Sequence, residues 1–133
     1  MNVLLVSPNI ETLPDPVFPL GLAYVAAALQ DNHIPYRILD LCFAEDYEAS
    51  IQSAIDDFHP DVIGLSLRNV DNVSYPNYIT YLPFYRHVIT VIREKCDATI
   101  VIGGSAVALV PDLLLYHLNA DFGVIGEGET AFG

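Results

Sequence analysis

The residues best suited to bind a ligand follow two apolar runs of this 133-residue sequence. They are Ser66, Arg68, Asn69, Asp71, Asn72, Gly103, Gly104 and Ser105. Hydroxyl and amide groups suit a large ligand that is itself fringed by amides. Two adjacent glycines let the backbone approach a flat ligand closely, because no Cβ intervenes. An ordinary turn explains the same two glycines equally well.

Two long polar or proline-rich segments adjoin these residues. The segment 8–19 holds four prolines, and 68–81 holds Asn, Asp, Ser, Pro and three tyrosines. Long loops of this kind in a compact domain are usually functional or disordered. Arg68, one of only five cations, can hold an anionic ligand group or pair with Asp71, and base rates slightly favour the pair.

Nucleotide binding of the familiar kinds is disfavoured. Asp40 follows the second apolar run, where dinucleotide-binding sheets often place an acid that binds ribose. The first run, however, leads into Ser7-Pro-Asn-Ile-Glu11, which contains neither G-x-G-x-x-G nor G-x-x-x-x-G-K. The late Gly126-Glu-Gly128 has a G-x-G core, but it follows the fifth apolar run and carries acids that oppose a phosphate. A turn is therefore favoured there.

Two related domain types also fail to match. A phosphoreceiver domain needs an acidic pair, an acceptor aspartate and a lysine after its first, third and fifth strands. This sequence has Pro8-Asn9, Ser66-Leu67 and Gly126-Glu127 at those positions. A flavodoxin needs a Ser/Thr-rich phosphate loop where this chain has prolines, which weakens a flavin-binding interpretation.

No group of residues predicts catalysis or metal binding by this chain alone. The four histidines are His33, His59, His87 and His117. They fall in expected helices or the turns after them, without an i, i+4 partner, so packing or surface roles are favoured over metal ligation. Cys42 and Cys96 form no C-x-x-C pattern and are expected to be buried or idle thiols.

The elements that must position the candidate residues alternate between strands and helices. The expected strands are Val3 to Ser7, Tyr36 to Leu41, Val62 to Leu67, Thr99 to Ile102 and Phe122 to Ile125. The expected helices are Leu20 to Gln30, Tyr47 to Phe58, Leu82 to Lys95 and Pro111 to Leu118. Near-continuous apolar strands are typical of a parallel sheet covered on both faces. The predicted fold is therefore a three-layer α/β/α sandwich with a five-stranded parallel sheet in the flavodoxin-like order 2-1-3-4-5.

Composition limits the partners. Seventeen acids against five cations give a formal charge of −12, which repels a nucleic acid backbone. The longest apolar stretch, Leu20 to Leu29, has ten residues, whereas a membrane helix needs about 20. Without a signal-like N-terminus, we expect a cytoplasmic protein with no membrane span. The length predicts one domain, residues 1–133.

Four segments, taken together, resemble the N-terminal cobalamin-binding domain of cobalamin-dependent radical S-adenosylmethionine enzymes. They are Pro19-Leu-Gly-Leu-Ala-Tyr-Val-Ala-Ala-Ala-Leu29, Pro60-Asp-Val-Ile-Gly-Leu-Ser66, Ile102-Gly-Gly-Ser105 and Ala120-Asp-Phe-Gly-Val-Ile-Gly-Glu-Gly-Glu129. Each motif alone is weak, but their order, their spacing and the closing G-E-G-E are fairly specific. The resemblance covers essentially the whole chain and implies that the chain is an excised N-terminal fragment of a longer enzyme. In that family a cluster-binding C-x-x-x-C-x-x-C motif follows the G-E-G-E segment, so finding this motif downstream of Gly133 would support the interpretation.

The resemblance also implies a cofactor and a set of site residues. Methionine synthase-type domains carry D-x-H-x-x-G, but alignment on Gly21 puts Pro16 and Phe18 at the acid and histidine positions. Cobalamin would then bind without a histidine lower ligand, its lower face shielded by Val17 or Phe18. The remaining implied contacts to cobalamin are Gly21, Ser66, Arg68, Asn69, Gly103, Gly104, Ser105, Gly126, Glu127 and Gly128.

The parent enzyme implied by the resemblance uses a 4Fe-4S cluster and S-adenosylmethionine in a C-terminal domain, and it is expected to be a methyltransferase. The protein mainly binds and orients, while the cofactor carries the chemistry. Two alternatives stay open. One is a vestigial domain that no longer binds cobalamin and acts as a docking or gating surface; the other is a flavin- or nucleotide-binding domain of flavodoxin type.

Overall fold

A computed structural model describes residues 1–8, 20–43, 45–67, 82–104 and 111–124. The strands are β1 (Val3–Ser7), β2 (Tyr36–Asp40), β3 (Val62–Ser66), β4 (Thr99–Gly103) and β5 (Phe122–Gly123). The helices are α1 (Leu20–Asp31), α2 (Tyr47–Phe58), α3 (Leu82–Lys95) and α4 (Pro111–Leu118). All strands are parallel and lie in the order β2-β1-β3-β4-β5. The predicted fold class is therefore confirmed.

The expected element bounds hold to within one residue except at the end of the last strand. The bounds of α2, α3, α4 and β1 agree in full, whereas β2 ends at Asp40 rather than at Leu41. The reason is a short 3₁₀ helix, Leu41–Phe43, which begins where the Asp40 Oδ1 accepts a hydrogen bond from the Cys42 amide at 3.0 Å. The last strand, expected to run to Ile125, ends at Gly123, and Val124 lies outside it; Ile125 itself is outside the described residues.

Two hydrophobic clusters cover the two faces of the sheet. On the face that we call the α1 face, α1 buries Leu22, Val25, Ala26 and Leu29 against Val3 and Leu5 of β1. On the opposite α2 face, helices α2, α3 and α4 pack against the alternate residues of the strands, such as Ile63, Ile100 and Ile102. Side chains alternate between the faces along a strand, so β1 contributes Val3 and Leu5 to one cluster and Leu4 and Val6 to the other.

Local capping explains where α2 begins and ends. Asp46 is the N-cap, and its carboxylate accepts a hydrogen bond from the Ala49 amide at 3.2 Å. His59 ends the helix with φ of 50°, and its amide donates to the Ile55 carbonyl. Helix α2 then packs on α3, where Tyr47 meets the Phe84 ring edge-on.

A polar network joins the end of α3 to the strands β4 and β5. The Asp121 Oδ2 accepts hydrogen bonds from the Ile100 amide at 2.8 Å and lies 3.2 Å from the Arg93 guanidinium. Arg93 also donates to the Asn119 carbonyl at 2.8 Å. These contacts lower the pKa of Asp121, first through the Ile100 amide and then through Arg93. Asp121 thus fixes the start of β5 beside β4.

Candidate functional site

The carboxyl ends of all five strands meet at one edge of the sheet, because the strands are parallel. The register pairs Ser7 of β1 with Asp40 of β2, and Ser66 of β3 with Gly103 of β4. Pairing of Val6 with Leu65 puts Ser7 beside Ser66. Open parallel sheets bind their ligands outside this edge. We therefore describe it as the candidate site.

The residues that end these strands are small and lie on the α1 face. Val62 packs in the α1 cluster, so Gly64 and Ser66, two and four residues later, lie on that face too. Ile100 and Ile102 pack on the α2 face, which leaves Gly103 on the α1 face beside Ser66. We call Gly64, Ser66 and Gly103 the small-residue strip. Val101, which pairs with Gly64, lies on the same face between the strip and Phe122 of β5.

Ser7 lies beside Ser66 of the small-residue strip, and the sequence analysis did not identify it as a site residue. It is the one polar residue counted among the buried side chains of the described chain, with 7% of its surface exposed. It ends the central strand on the α1 face, following Val3 and Leu5. The signal was present, since Ser7 is the only polar residue in an otherwise apolar run and its face follows from alternation.

The backbone requires glycine at position 104 but not at position 103. Gly104 has φ of 99°, and a Cβ there would lie 2.6 Å from the Leu67 carbonyl oxygen, so the approach of the β3 loop backbone accounts for this glycine. Among the described residues, a Cβ at Gly103 would meet only Val124 atoms at 3.8 and 3.9 Å, an ordinary contact. Space therefore exists at Gly103, and the backbone does not demand glycine there.

The two loops after β3 and β4 are held together at this point. The Leu67 amide donates to the Gly103 carbonyl at 2.7 Å, which continues the β3–β4 pairing past Ser66. The Val124 amide likewise donates to the Ile102 carbonyl at 2.8 Å. Ser66, Gly103 and Gly104 are consequently brought together by backbone bonds that need no ligand.

Asp40 has a structural role at the edge. Its carboxylate caps the 3₁₀ turn through the Cys42 amide. That contact explains why an acid stands at this position without requiring that it bind the ribose of a nucleotide. Within the ranges that the structure covers, no three His, Cys, Asp or Glu side chains lie close enough to hold a metal ion. None of the described helices is long and apolar enough to cross a bilayer.

The histidines lie away from the edge. His33 and His59 follow the C-terminal ends of α1 and α2 with positive φ, at the opposite edge of the sheet. His87 pairs with Glu48 at 2.9 Å on the exposed side of α2 and α3. Cys42 and Cys96 are half-buried and form no disulfide.

A depression lies between α3 and α4, away from α1. It has a volume of about 270 Å³ and is lined by Arg86, Ile89, Thr90, Arg93, Glu94, Leu118 and Asn119. Arg93 is already engaged with Asp121 and Asn119. The carboxyl edge is therefore the better candidate for a binding site.

Comparison with known families identifies the kind of domain that carries this edge. A family model described as B12 binding domain matches residues 6–133, almost the whole chain. The chain belongs to the B12-binding domain family.

Three relatives illustrate where such B12-binding domains occur. Tryptophan 2-C-methyltransferase from Streptomyces laurentii is 27% identical over 129 residues, covering 96% of this chain and 21% of that protein. An uncharacterized methyltransferase from Pyrococcus horikoshii is 32% identical, covering 99% of this chain and 28% of that protein. The structure of the radical S-adenosylmethionine methyltransferase TsrM from Kitasatospora setae, with cobalamin and a 4Fe-4S cluster bound, matches with a TM-score of 0.90 at 31% identity, over 97% of this chain and 23% of that one. This B12-binding domain thus spans about a quarter of the length of the relatives it matches.

Of the site residues predicted from the sequence, four lie in the described part of this B12-binding domain. Ser66, Gly103 and Gly104 meet at the carboxyl edge, and Gly21 lies in the first turn of α1, which begins at the same edge. The others lie outside the described residues, as do the possible partner Asp71 and the neighbouring Asn72. They are Val17, Phe18, Arg68, Asn69, Ser105, Gly126, Glu127 and Gly128.

Proposed function

We propose that this B12-binding domain holds cobalamin at the carboxyl edge of its sheet for a radical S-adenosylmethionine methyltransferase. The family supports the cofactor, and the methyltransferases among its relatives support the reaction class. The observation that carries the proposal is the small-residue strip, Gly64, Ser66 and Gly103, which lies beside α1 at the edge where parallel sheets bind ligands.

The strip has the properties that a large cofactor requires. Gly64 and Gly103 lack side chains on the α1 face; Gly64 is buried, whereas Gly103 is partly exposed, so part of a ligand can approach the backbone of β4 at Gly103. Of the atoms that the structure describes, those nearest to a Cβ at Gly103 would belong to Val124, at 3.8 Å. The hydroxyl groups of Ser7 and Ser66 supply hydrogen-bonding groups along the same row. The residues present therefore fit a flat, amide-bearing group.

The lower face of the cofactor is proposed to lack a histidine ligand. Phe18 occupies the position of the histidine in the methionine synthase pattern, and His33 and His59 lie at the opposite edge of the sheet. His87 is paired with Glu48 on the α2 side. Val17 or Phe18 would shield the lower face by apolar contact.

Cobalamin, when bound, supplies methyl transfer to a carbon centre. The residues of this chain would bind and orient it: Ser66, Gly103 and Gly104 at the rim, with Arg68, Asn69 and Ser105 from the adjoining loops and Gly126, Glu127 and Gly128 closing it. Because the relatives are several times longer, we propose that a domain holding a 4Fe-4S cluster and S-adenosylmethionine follows this one in a longer polypeptide.

Titration with hydroxocobalamin and methylcobalamin, followed by ultraviolet-visible spectra and calorimetry, tests the proposal. Gly103→Leu fills the space on the α1 face and is expected to weaken binding at least tenfold, about 1.4 kcal/mol. Thr99→Leu is the matched control, because Thr99 lies on the same strand and face at the far end of β4. It should bind like the unchanged protein.

The same titration separates the alternatives. Saturable binding that Gly103→Leu abolishes and Thr99→Leu preserves supports the cofactor module. A folded protein that binds neither cobalamin supports the vestigial docking domain, for which the missing histidine is the main argument. A bound flavin or nucleotide, recognised by the absorbance of the extracted ligand, would instead support the flavodoxin-type alternative.

A further inference from the structure

Helix α3 is the basic element of an otherwise acidic chain. The sequence has 17 acids and five cations, and three of those cations lie on α3. They are Arg86, Arg93 and Lys95, and Glu94 is the only acid of the helix. Lys95 donates to the Gln52 side chain, which joins α3 to α2. Arg86 and Arg93 instead line the depression between α3 and α4.

This depression has the size and lining of a site for a small molecule. Its volume of about 270 Å³ is slightly below the range of pockets that hold drug-sized ligands. The buried Ile89 and Leu118 supply an apolar lining. Arg86 and Arg93 are seven residues apart, which is about two helical turns, so they lie on one side of α3 with Ile89 between them. An apolar surface flanked by two cationic groups is complementary to an organic anion.

The guanidinium group of Arg93 has one donor without an acceptor. Its two terminal nitrogens contact the Asp121 carboxylate at 3.2 Å and the Asn119 carbonyl at 2.8 Å, but its Nε atom is buried and has no hydrogen-bond partner. A buried N–H without an acceptor costs the full desolvation of the group, so such atoms are normally satisfied by water or by a bound group. Arg93 lines the depression, so an oxygen atom held there would supply the missing acceptor.

Arg86 adds an accessible cation at the same depression. It is exposed, and none of the described acids lies within ion-pair distance of it. The Thr90 hydroxyl donates to the Arg86 carbonyl at 2.9 Å, so the donors for an anion are the two guanidinium groups, which favour carboxylate and phosphate oxygens. Glu94 also lines the depression, and its charge repels a doubly charged phosphate more strongly than a singly charged carboxylate.

We propose that the depression between α3 and α4 binds a small carboxylate with a short apolar body. The carboxylate accepts a hydrogen bond from the Arg93 Nε and is held by the charge of Arg86, while the apolar body lies on Ile89 and Leu118. The site does not depend on the proposed function, because α3 and α4 cover the α2 face of the sheet, opposite to the small-residue strip. It gives the domain a second small-molecule ligand, bound apart from the cofactor.

Titration of the 133-residue chain with sodium butyrate at constant ionic strength tests the proposal. The readout is the NMR signal of the Arg93 Nε–H group, together with the methyl signals of Ile89 and Leu118. We expect all of them to shift along one saturable curve, and acetate to bind about threefold or more weakly because it buries less apolar surface. The Nε–H signal of Arg37, which stacks on Phe58 outside the depression, is the control and should not move.

Charge substitutions distinguish a built site from a general effect of surface charge. Arg86→Gln is expected to weaken butyrate binding about threefold or more, whereas Glu94→Gln removes a like charge and should strengthen it about twofold. Arg37→Gln is the matched control, because it removes the same charge elsewhere and should bind butyrate like the unchanged protein. The dispersion of the amide signals in each variant reports that it is folded.

Three outcomes overturn the proposal. A lack of saturable shifts would leave a water molecule as the acceptor for the Arg93 Nε. Equal weakening by Arg86→Gln and Arg37→Gln would show that only the net charge of the chain matters. Inorganic phosphate that binds as tightly as butyrate would indicate a general oxyanion contact rather than a site for a carboxylate with an apolar body.

Discussion

At the scale of single residues, Gly104 and Gly103 are neighbours with opposite tolerances. Gly104→Ala introduces a Cβ at a φ of 99° and 2.6 Å from the Leu67 carbonyl oxygen, so we expect a loss of about 2 kcal/mol or more in the free energy of unfolding. Gly103→Ala adds a Cβ in ordinary contact and should change the free energy by less than about 0.5 kcal/mol. Urea unfolding of both variants measures the difference; equal stabilities would contradict the close approach at Gly104.

This pair has a consequence for any binding experiment. A bulky residue at position 104 would disturb the joint between the β3 and β4 loops, so a loss of ligand would not report on the site itself. The sequence alone could not distinguish the two glycines, because the Leu67 backbone is 37 residues away along the chain and its approach depends on the pairing of β3 with β4.

At the scale of elements, the Asp121 network is expected to make the β4–β5 edge sensitive to acid. The pKa of Asp121 is lowered in the folded protein, so its contribution is present above the pKa of the unfolded chain and is lost as the pH falls through the folded value. We expect Asp121→Asn to cost about 1 to 2 kcal/mol at pH 7, because the charge-assisted bonds to Ile100 and Arg93 weaken. The difference from the unchanged protein should shrink below a pH of about 4.

Urea unfolding over a pH series measures this effect, with Asp97→Asn as the control. Asp97 is an exposed aspartate two residues before β4, so its substitution removes the same charge without touching the network. A stability gap for Asp121→Asn that stays constant from pH 7 to well below 4 would be incompatible with the proposed ionisation.

The elements themselves were largely predictable, and the exceptions have local causes. The bounds of β1 were predictable because a strand that is buried on both faces of a sheet is apolar at nearly every residue. The bounds of α2, α3 and α4 were predictable from the helical spacing of their apolar residues. The end of β2 was misplaced because the Asp40 side chain, rather than hydrophobicity, begins the turn. Ser7 was placed in β1 correctly but was overlooked as a site residue, because the face on which it lies depends on which strand residues α1 covers.

At the scale of the whole molecule, cobalamin is expected to stabilise the fold by mass action. A ligand at 100 times its Kd raises the free energy of unfolding by about 2.7 kcal/mol if it binds only the folded state. For a domain of this length, about 3 to 5 °C of Tm per kcal/mol gives an expected rise of roughly 10 °C, read by the loss of circular dichroism on heating. The rise should saturate with hydroxocobalamin concentration, as binding at a single site requires.

The variants at the two ends of β4 connect this global shift to the proposed site. Gly103→Leu lies at the carboxyl edge and should remove most of the rise, whereas Thr99→Leu on the same face should retain it. Both substitutions introduce a larger side chain at a half-buried position of β4. A general packing effect would therefore lower the Tm of both variants even when no ligand is present. Only the ligand-dependent part reports on the small-residue strip. An equal rise in the two variants would move the cobalamin site away from Gly103 and toward the loops beyond β1 and β3.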